Sequence, residues 1–534
     1  MATPATLPPG SILDEKLKKS SPGKLGGIIF AVLLIGGLGY ITNRLWADLS
    51  PIHMGSMLPY FLLGLALLIA LGFEFVNGFH DTANAVATVI YTHALEPHIA
   101  VVWSGLWNFI GVLTSSGAVA FAIITLLPVE LILRVSHGAG FSMVFALLIA
   151  AILWNLATWW RGLPASSSHT MIGSIIGVGV ANQLMHGASG TSGVDWEQVT
   201  KVFKALLFSP LVGFIGAALV FLLFKIALRD PRLYEAPKGT EPPPFYIRAL
   251  LVLTCTGVSF AHGSNDGQKG MGLIMLILVG TVPTAYALNH TVNASQVQTF
   301  AAVSQQVIST LNNYIDPNAT VADPGPELEN FISTRKFSNT TMLALQQIVG
   351  DIRNEATRYK SLGAVPAGMQ ANVRNQMYLT SETLRLLPKY GPKMSEGDIK
   401  VLKNYKGFLD NATKFIPTWV KVAVALSLGL GTMIGWKRIV VTVGEKIGKT
   451  HLTYAQGASA ELVAMFTILA ADGYGLPVST THVLSSGVAG TMAANKSGLQ
   501  VSTLRDIALA WVFTLPVAAL LSGSLFWLFS TMVK

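Results

Sequence analysis

The sequence predicts an all-α polytopic membrane protein of about ten to twelve membrane segments, built from two related halves. Composition sets the class: of 534 residues, 51% are hydrophobic and 12% charged, with a mean hydropathy of +0.53, well to the apolar side of soluble proteins. Long apolar runs supply the spans, and a motif that occurs once in each half marks a duplication.

Roughly 20 apolar residues cross the hydrocarbon core of a bilayer. Runs at 26–40 with its flanks, 58–76, 99–127, 141–160, 205–227, 247–261, 271–288, 416–435, 461–471 extended on both sides, and 507–533 reach or approach that length. The first follows Lys16, Lys18, Lys19 and Lys24, as a cleaved signal peptide would, but no small-x-small cleavage site follows and the remainder inserts without one. It reads as an extra membrane helix whose basic flank keeps the N-terminus cytoplasmic. The pI of about 9.4 therefore needs no nucleic-acid partner. Cys255 is the single cysteine, so no disulfide forms within the chain and a buried, inert thiol is expected.

Composition also divides the chain. Residues 1–50 form a tail and the extra helix, 51–228 a first transport repeat, 229–248 a short basic loop, 249–290 the start of a second repeat, 291–415 an extramembrane insertion, and 416–534 the rest of the second repeat. The short loop holds Pro231, Pro237, Pro242, Pro243 and Pro244 among Arg229, Arg232, Lys238 and Arg248, which favours the cytoplasmic side. Lys437, Arg438, Lys446 and Lys449 mark another such loop, leaving the insertion on the opposite face if odd numbers of spans intervene. Within the insertion, 340–359 and 372–387 read as helices of a small packed bundle, and 319–329, with Pro324 and Pro326, as a loop.

The duplication is explicit in two motifs. Gly162-Leu-Pro-Ala-Ser-Ser-Ser-His169 matches Gly475-Leu-Pro-Val-Ser-Thr-Thr-His482 at five of eight positions, and the likeness continues to Gly177 and Gly490. A weaker pair sets Asn77-Gly-Phe-His-Asp81 against His262-Gly-Ser-Asn-Asp266. The same order of motifs in both halves is the mark of an internal repeat.

A charge near the bilayer centre costs several kcal/mol unless it faces the protein interior or a water-filled path, so Asp81 and Asp266 are expected to face a site. Asn84 and Lys269 lie three residues further on, on the same helical face. Aspartates also cap helices, but two in equivalent positions beside His80 and Asn265 read as functional interruptions of a helix. Gly-Leu-Pro breaks an apolar helix and restarts it. The new helix aims unpaired N–H groups inward, and Ser166, Ser167, Ser168, Ser479, Thr480 and Thr481 add hydroxyls, a setting suited to a tetrahedral oxyanion. Bonding back to their own helix is the competing use of these hydroxyls. Broken helices with small polar linings in both halves point to a midplane transport site, which narrows the class to an inverted-repeat transporter with broken or re-entrant helices.

An oxyanion and two carboxylates need positive charge between them, so cations or protons accompany the substrate and symport follows. Asp81, Asp266, Asn84 and Asn265 offer hard oxygen ligands for an alkali or alkaline-earth ion, and Asn77 belongs with them. His80 titrates near neutral pH. Lys269 either pairs with Asp266 or meets the anion directly. His169 and His482 are packing or substrate-proximal residues. Glu74, one turn from Gly78, is a candidate for the cation or proton path, Glu461 lies in the membrane, and Asp472 is expected at an interface. No resident cofactor is implied, since a divalent metal of the Mg or Ca type, or sodium, would travel as co-transported ion.

Gly78-Phe-His-Asp-Thr-Ala-Asn-Ala85, Gly263-Ser-Asn-Asp-Gly-Gln-Lys-Gly270 and the two Gly-Leu-Pro motifs resemble the inorganic phosphate transporter (Pit) family, specifically its bacterial low-affinity branch, over roughly 58–528. The resemblance implies an inverted-repeat fold in a bacterial plasma (inner) membrane and electrogenic phosphate uptake coupled to protons, largely as a neutral complex with a divalent metal. Sodium-coupled relatives carry Asn where this chain has His80, so His80 is expected to replace a sodium ligand and help couple transport to protons. The competing readings are a sodium-coupled phosphate or sulfate symporter, a membrane phosphohydrolase and an anion channel. An enzyme would not need the constellation twice, and buried carboxylates would repel a freely diffusing anion. The expected partners are phosphate, protons or metal cations and lipid, with a homodimer left open.

Overall fold

The computed structural model describes residues 23–50, 57–81, 83–128, 131–132, 138–187, 193–237 and 241–532. Lys16, Lys18 and Lys19 and the side chains of Lys24 and Asn84 lie outside the described parts. The described residues form helices and connecting turns, with one isolated bridge between Gly448 and Leu499. The helices used below are α1 (Gly23–Leu49), α2 (Leu58–Asp81), α3 (Ala83–Tyr91), α4 (Pro97–Thr114), α5 (Ala118–Ile124), α6 (Gly138–Trp160), α7 (Ser167–His186), α8 (Trp196–Ala227) and α9 (Phe245–Thr281). They continue with α10 (Ala294–Asn312), α11 (Pro324–Thr334), α12 (Thr341–Tyr359), α13 (Ala367–Tyr390), α14 (Glu396–Thr413), α15 (Thr418–Thr432), α16 (Tyr454–Gly473), α17 (Thr480–Ala494) and α18 (Val501–Met532).

Among the described residues, seven helical spans are long and apolar enough to cross a bilayer, and up to nine if the bent pairs α4/α5 (74°) and α14/α15 (72°) each count as one. The half-helices α7 and α17 start at the two Gly-Leu-Pro breaks. α1 displays Val32, Ile35 and Trp46 outward and is tied down where Tyr286 donates to Asp48 over 2.5 Å.

The duplication extends to packing. α7 lies along α18 and α17 along α8, while α2 lies along α15 and α9 along α4, so each repeat packs its helices onto the other. At each break a glycine turns the chain with φ +65°, Gly162 in one repeat and Gly475 in the other, a conformation that excludes most side chains. The helices then close on glycine: a Cβ on Gly177 would fall 2.0 Å from the Ala519 carbonyl oxygen, and one on Gly490 2.1 Å from that of Phe214.

Two expectations are corrected. The second aspartate motif does not interrupt its helix, since α9 runs unbroken through His262 to Asp266 and beyond. Glycines there remove side-chain bulk but keep their N–H donors, and no proline is present to end the ladder. In the first repeat the described part of α2 reaches Asp81 and α3 begins at Ala83, with the position between them, where the interruption is expected, outside the described residues. Within 319–329, the stretch from Pro324 onward is the start of α11 and not loop, because proline suits a first helical turn and Asp323 accepts the Gly325 N–H.

Residues 288–412 hold a hydrophobic core of their own, including Leu311, Phe331, Leu345, Ile352 and Tyr405. This unit is fastened to the start of α8. Asp195 caps α8 through Gln198 N–H (3.1 Å), and its other oxygen meets Arg335 (2.8 Å) and Arg385 (3.2 Å). Glu197 meets Tyr390 (2.8 Å) and Lys389 (3.0 Å). Asp195→Ala removes a cap and two largely buried ion pairs. It is expected to cost about 1–3 kcal/mol, read as faster proteolysis within 291–415 and a lower melting temperature.

Candidate functional site

The two breaks and the two aspartate motifs meet in one buried cluster. Ser166 and Ser479 cap the half-helices, accepting the N–H of His169 (3.3 Å) and of His482 (3.1 Å). That fixes the start of each half-helix and turns the next two hydroxyls into the protein.

Asp81 is where the repeats join. Its Oδ2 accepts from Ser167 of its own repeat, and its Oδ1 accepts from Thr481 of the other at 3.0 Å. His80 Nδ1 lies 2.8 Å from the same Oδ1, and its Nε2 lies 3.0 Å from Thr158 Oγ1. The Thr158 hydrogen has backbone acceptors at Trp154 and Asn155, both 3.1 Å away, which leaves a lone pair toward Nε2.

From Asp81 the polar chain continues. Ser167 also lies 2.8 Å from Asn77 Oδ1, and Asn77 donates to Glu74 at 3.3 Å. Glu74 sits so close to α9 that a Cβ on Gly270 would be 2.3 Å from its Cγ. His80, Asp81, Asn77 and Glu74 are at most 3% exposed.

In the second repeat Asp266 pairs with Lys269 at 2.7 Å and lies 3.5 Å from His262 Nε2. Lys269 Nζ crosses to the first repeat and donates to Ser168 Oγ at 2.5 Å, while Ser168 donates to the Val478 carbonyl at 2.9 Å. Asn265 braces the second break, donating to the Leu476 carbonyl (3.1 Å) and accepting the Val478 N–H (3.4 Å). Ligand atoms of Asp81, His262 and Asp266 lie within 4.8 Å of one another, a spacing a single cation can span.

A family model described as "PHO4: Phosphate transporter family" matches residues 77–522. The chain belongs to the phosphate transporter family. "Low-affinity inorganic phosphate transporter PitA" of Escherichia coli (strain K12) is 43% identical over 491 residues, covering 87% of this chain and 97% of that protein. "Low-affinity inorganic phosphate transporter PitB" of the same organism is 41% identical over 489 residues, covering 87% and 97%. "Probable low-affinity inorganic phosphate transporter" of Bacillus subtilis (strain 168) is 27% identical over 460 residues, covering 86% and 94%. A solved structure titled "The sodium-dependent phosphate transporter" aligns with TM-score 0.48 and 19% identity over 88% of this chain and 100% of that one.

For this family member the remaining candidates divide as follows. The rings of His169 and His482 lie 4.4 Å apart, and His482 stacks on Trp511 at 4.0 Å, so the pair joins the two half-helices next to the cluster. Thr480 Oγ1 is buried without a hydrogen-bond partner among the described residues. Asp472 binds Ser264 (2.7 Å) and Gln268 (2.5 Å) of α9, an interface between α16 and α9. Glu461 accepts from Thr254, away from the aspartates. Thr158 and His262 belong to the site but were not singled out from sequence. His262 had a signal in its place opposite Asn77, whereas Thr158 has none outside the fold.

Proposed function

We propose that this protein is a multi-pass secondary transporter of the bacterial inner membrane that takes up inorganic phosphate by symport, as a complex with a divalent metal and coupled to protons. The observation that carries the reading is Asp81, held at once by Ser167 of one repeat and Thr481 of the other. A carboxylate shared in this way makes the relative position of the repeats depend on what it binds. Two half-helix N-termini converge there, suited to an oxyanion. Phosphate near neutral pH donates a hydrogen bond that sulfate lacks, and Asp81 and Asp266 are the acceptors that favour it. Asp81, His262 and Asp266 would hold the metal that travels with the phosphate. His80 would carry the proton, because its ring lies between the Asp81 carboxylate (2.8 Å) and the Thr158 hydroxyl (3.0 Å), a path along which a proton can pass.

The test is uptake of labelled phosphate into proteoliposomes with pH, sodium and magnesium varied independently. Uptake is expected to follow pH and magnesium, to change little with sodium, and to resist excess sulfate. Steep stimulation by sodium at constant pH would instead support sodium coupling. His80→Asn is expected to flatten the pH dependence and introduce a sodium requirement; unchanged pH and sodium responses in this variant would remove His80 from the coupling.

A further inference from the structure

Equivalent aspartates in the two repeats take their nitrogen partner from different positions. Asp81 has His80 beside it in sequence, 2.8 Å away, and the residue three positions on is Asn84. Asp266 has Asn265 beside it, whose amide is spent on the break at Leu476 and Val478, and Lys269 three positions on, 2.7 Å away. The Lys269 ammonium is held between that carboxylate and the Ser168 hydroxyl, and Lys269 and Asp266 are both fully buried, so removing it would leave Asp266 a bare charge in a low-dielectric interior.

We infer that Lys269 is a tethered cation: its ammonium takes the place beside Asp266 that a monovalent co-transported cation would need, so that no such cation is required in the second repeat and the one mobile cation of the cluster is the metal shared with Asp81. The ammonium also reaches Ser168 Oγ at 2.5 Å, in the opposite repeat. It therefore fixes the distance between Asp266 and the first half-helix in the manner of a bound ion. This inference rests on the symport reading above, but its first readout is cation binding, which does not require transport.

The experiment compares the wild-type protein, Lys269→Asn, Lys269→Gln and Lys269→Arg. Purified proteins are melted in sodium, lithium or potassium chloride against choline chloride at constant ionic strength, and phosphate uptake is measured in the same salts. In the neutral variants an alkali cation is expected to raise the melting temperature by roughly 3 °C or more. Their uptake without such a cation is expected to fall about 10-fold or more, the scale of one lost charge-assisted contact, and to recover in part when it is added. Wild type and Lys269→Arg should show neither response. The inference is overturned if both neutral variants respond to the salts as wild type does, or if neither is recovered folded in any of them. Cation-dependent stabilisation without uphill uptake by wild type would sink the symport reading and leave the tethered cation standing.

Discussion

Asp81→Asn is expected to lower phosphate uptake by about two orders of magnitude while leaving the protein folded in the membrane. The change is nearly isosteric and removes only the charge and one acceptor. In the native site the carboxylate accepts from Ser167 and from Thr481 at 3.0 Å, with His80 Nδ1 at 2.8 Å. An amide in its place offers one acceptor oxygen, and its NH2 turns toward groups that are themselves donors. A charge-assisted hydrogen bond contributes about 1.5–3 kcal/mol, so loss of one or two accounts for a 100-fold effect. The check is the initial rate of labelled phosphate uptake in proteoliposomes, with the melting temperature of the purified variant alongside. A rate within about 3-fold of wild type, which is under 1 kcal/mol, would show that the shared carboxylate is not at the substrate site.

Gly490→Ala and Gly177→Ala are expected to have the largest effects on stability. A methyl at Gly490 would sit 2.1 Å from the Phe214 carbonyl oxygen, and one at Gly177 2.0 Å from that of Ala519. These neighbours are backbone atoms of long helices, so no side chain can swing aside and the helices must separate. Overpacking of this kind costs about 1–3 kcal/mol and sometimes more, and separation here also opens the α7/α18 and α8/α17 seams. Gly72→Ala is the matched control, since nothing lies within 4 Å of a Cβ there. The expected result is a marked fall in melting temperature and membrane yield for the two seam variants and none for the control. Equal melting temperatures for all three would contradict the close approach of these helices.

How much of this was legible in the sequence follows from how each feature is encoded. The breaks at Gly162 and Gly475 were readable because glycine and proline dictate backbone geometry wherever they stand, and the matching motifs exposed the duplication. The unbroken course of α9 was not, because a run such as Gly263-Ser-Asn-Asp-Gly-Gln-Lys-Gly270 has the composition of a loop. Only its packing against α4 and the site shows that its glycines serve close approach. Local spacing placed Lys269 on the face of Asp266, but the contact with Ser168 depends on the path of the whole chain. Thr158 supports His80 from a separate helix, and the ion pairs of Asp195 with Arg335 and Arg385 join distant segments. Pairings of this sort leave no periodic trace in a single sequence.

Whether the two repeats share one substrate site is tested most directly by a double-mutant cycle between Asp81→Asn and Thr481→Ala, with phosphate binding to purified protein measured by calorimetry. The two side chains belong to different repeats and are joined by a 3.0 Å hydrogen bond. If that bond helps build the phosphate site, the double variant should bind no more weakly than Asp81→Asn alone, a coupling of at least about 1 kcal/mol. Strict additivity, with each substitution weakening binding by the same factor whether or not the other is present, would mean that each repeat acts alone and that the shared site does not exist.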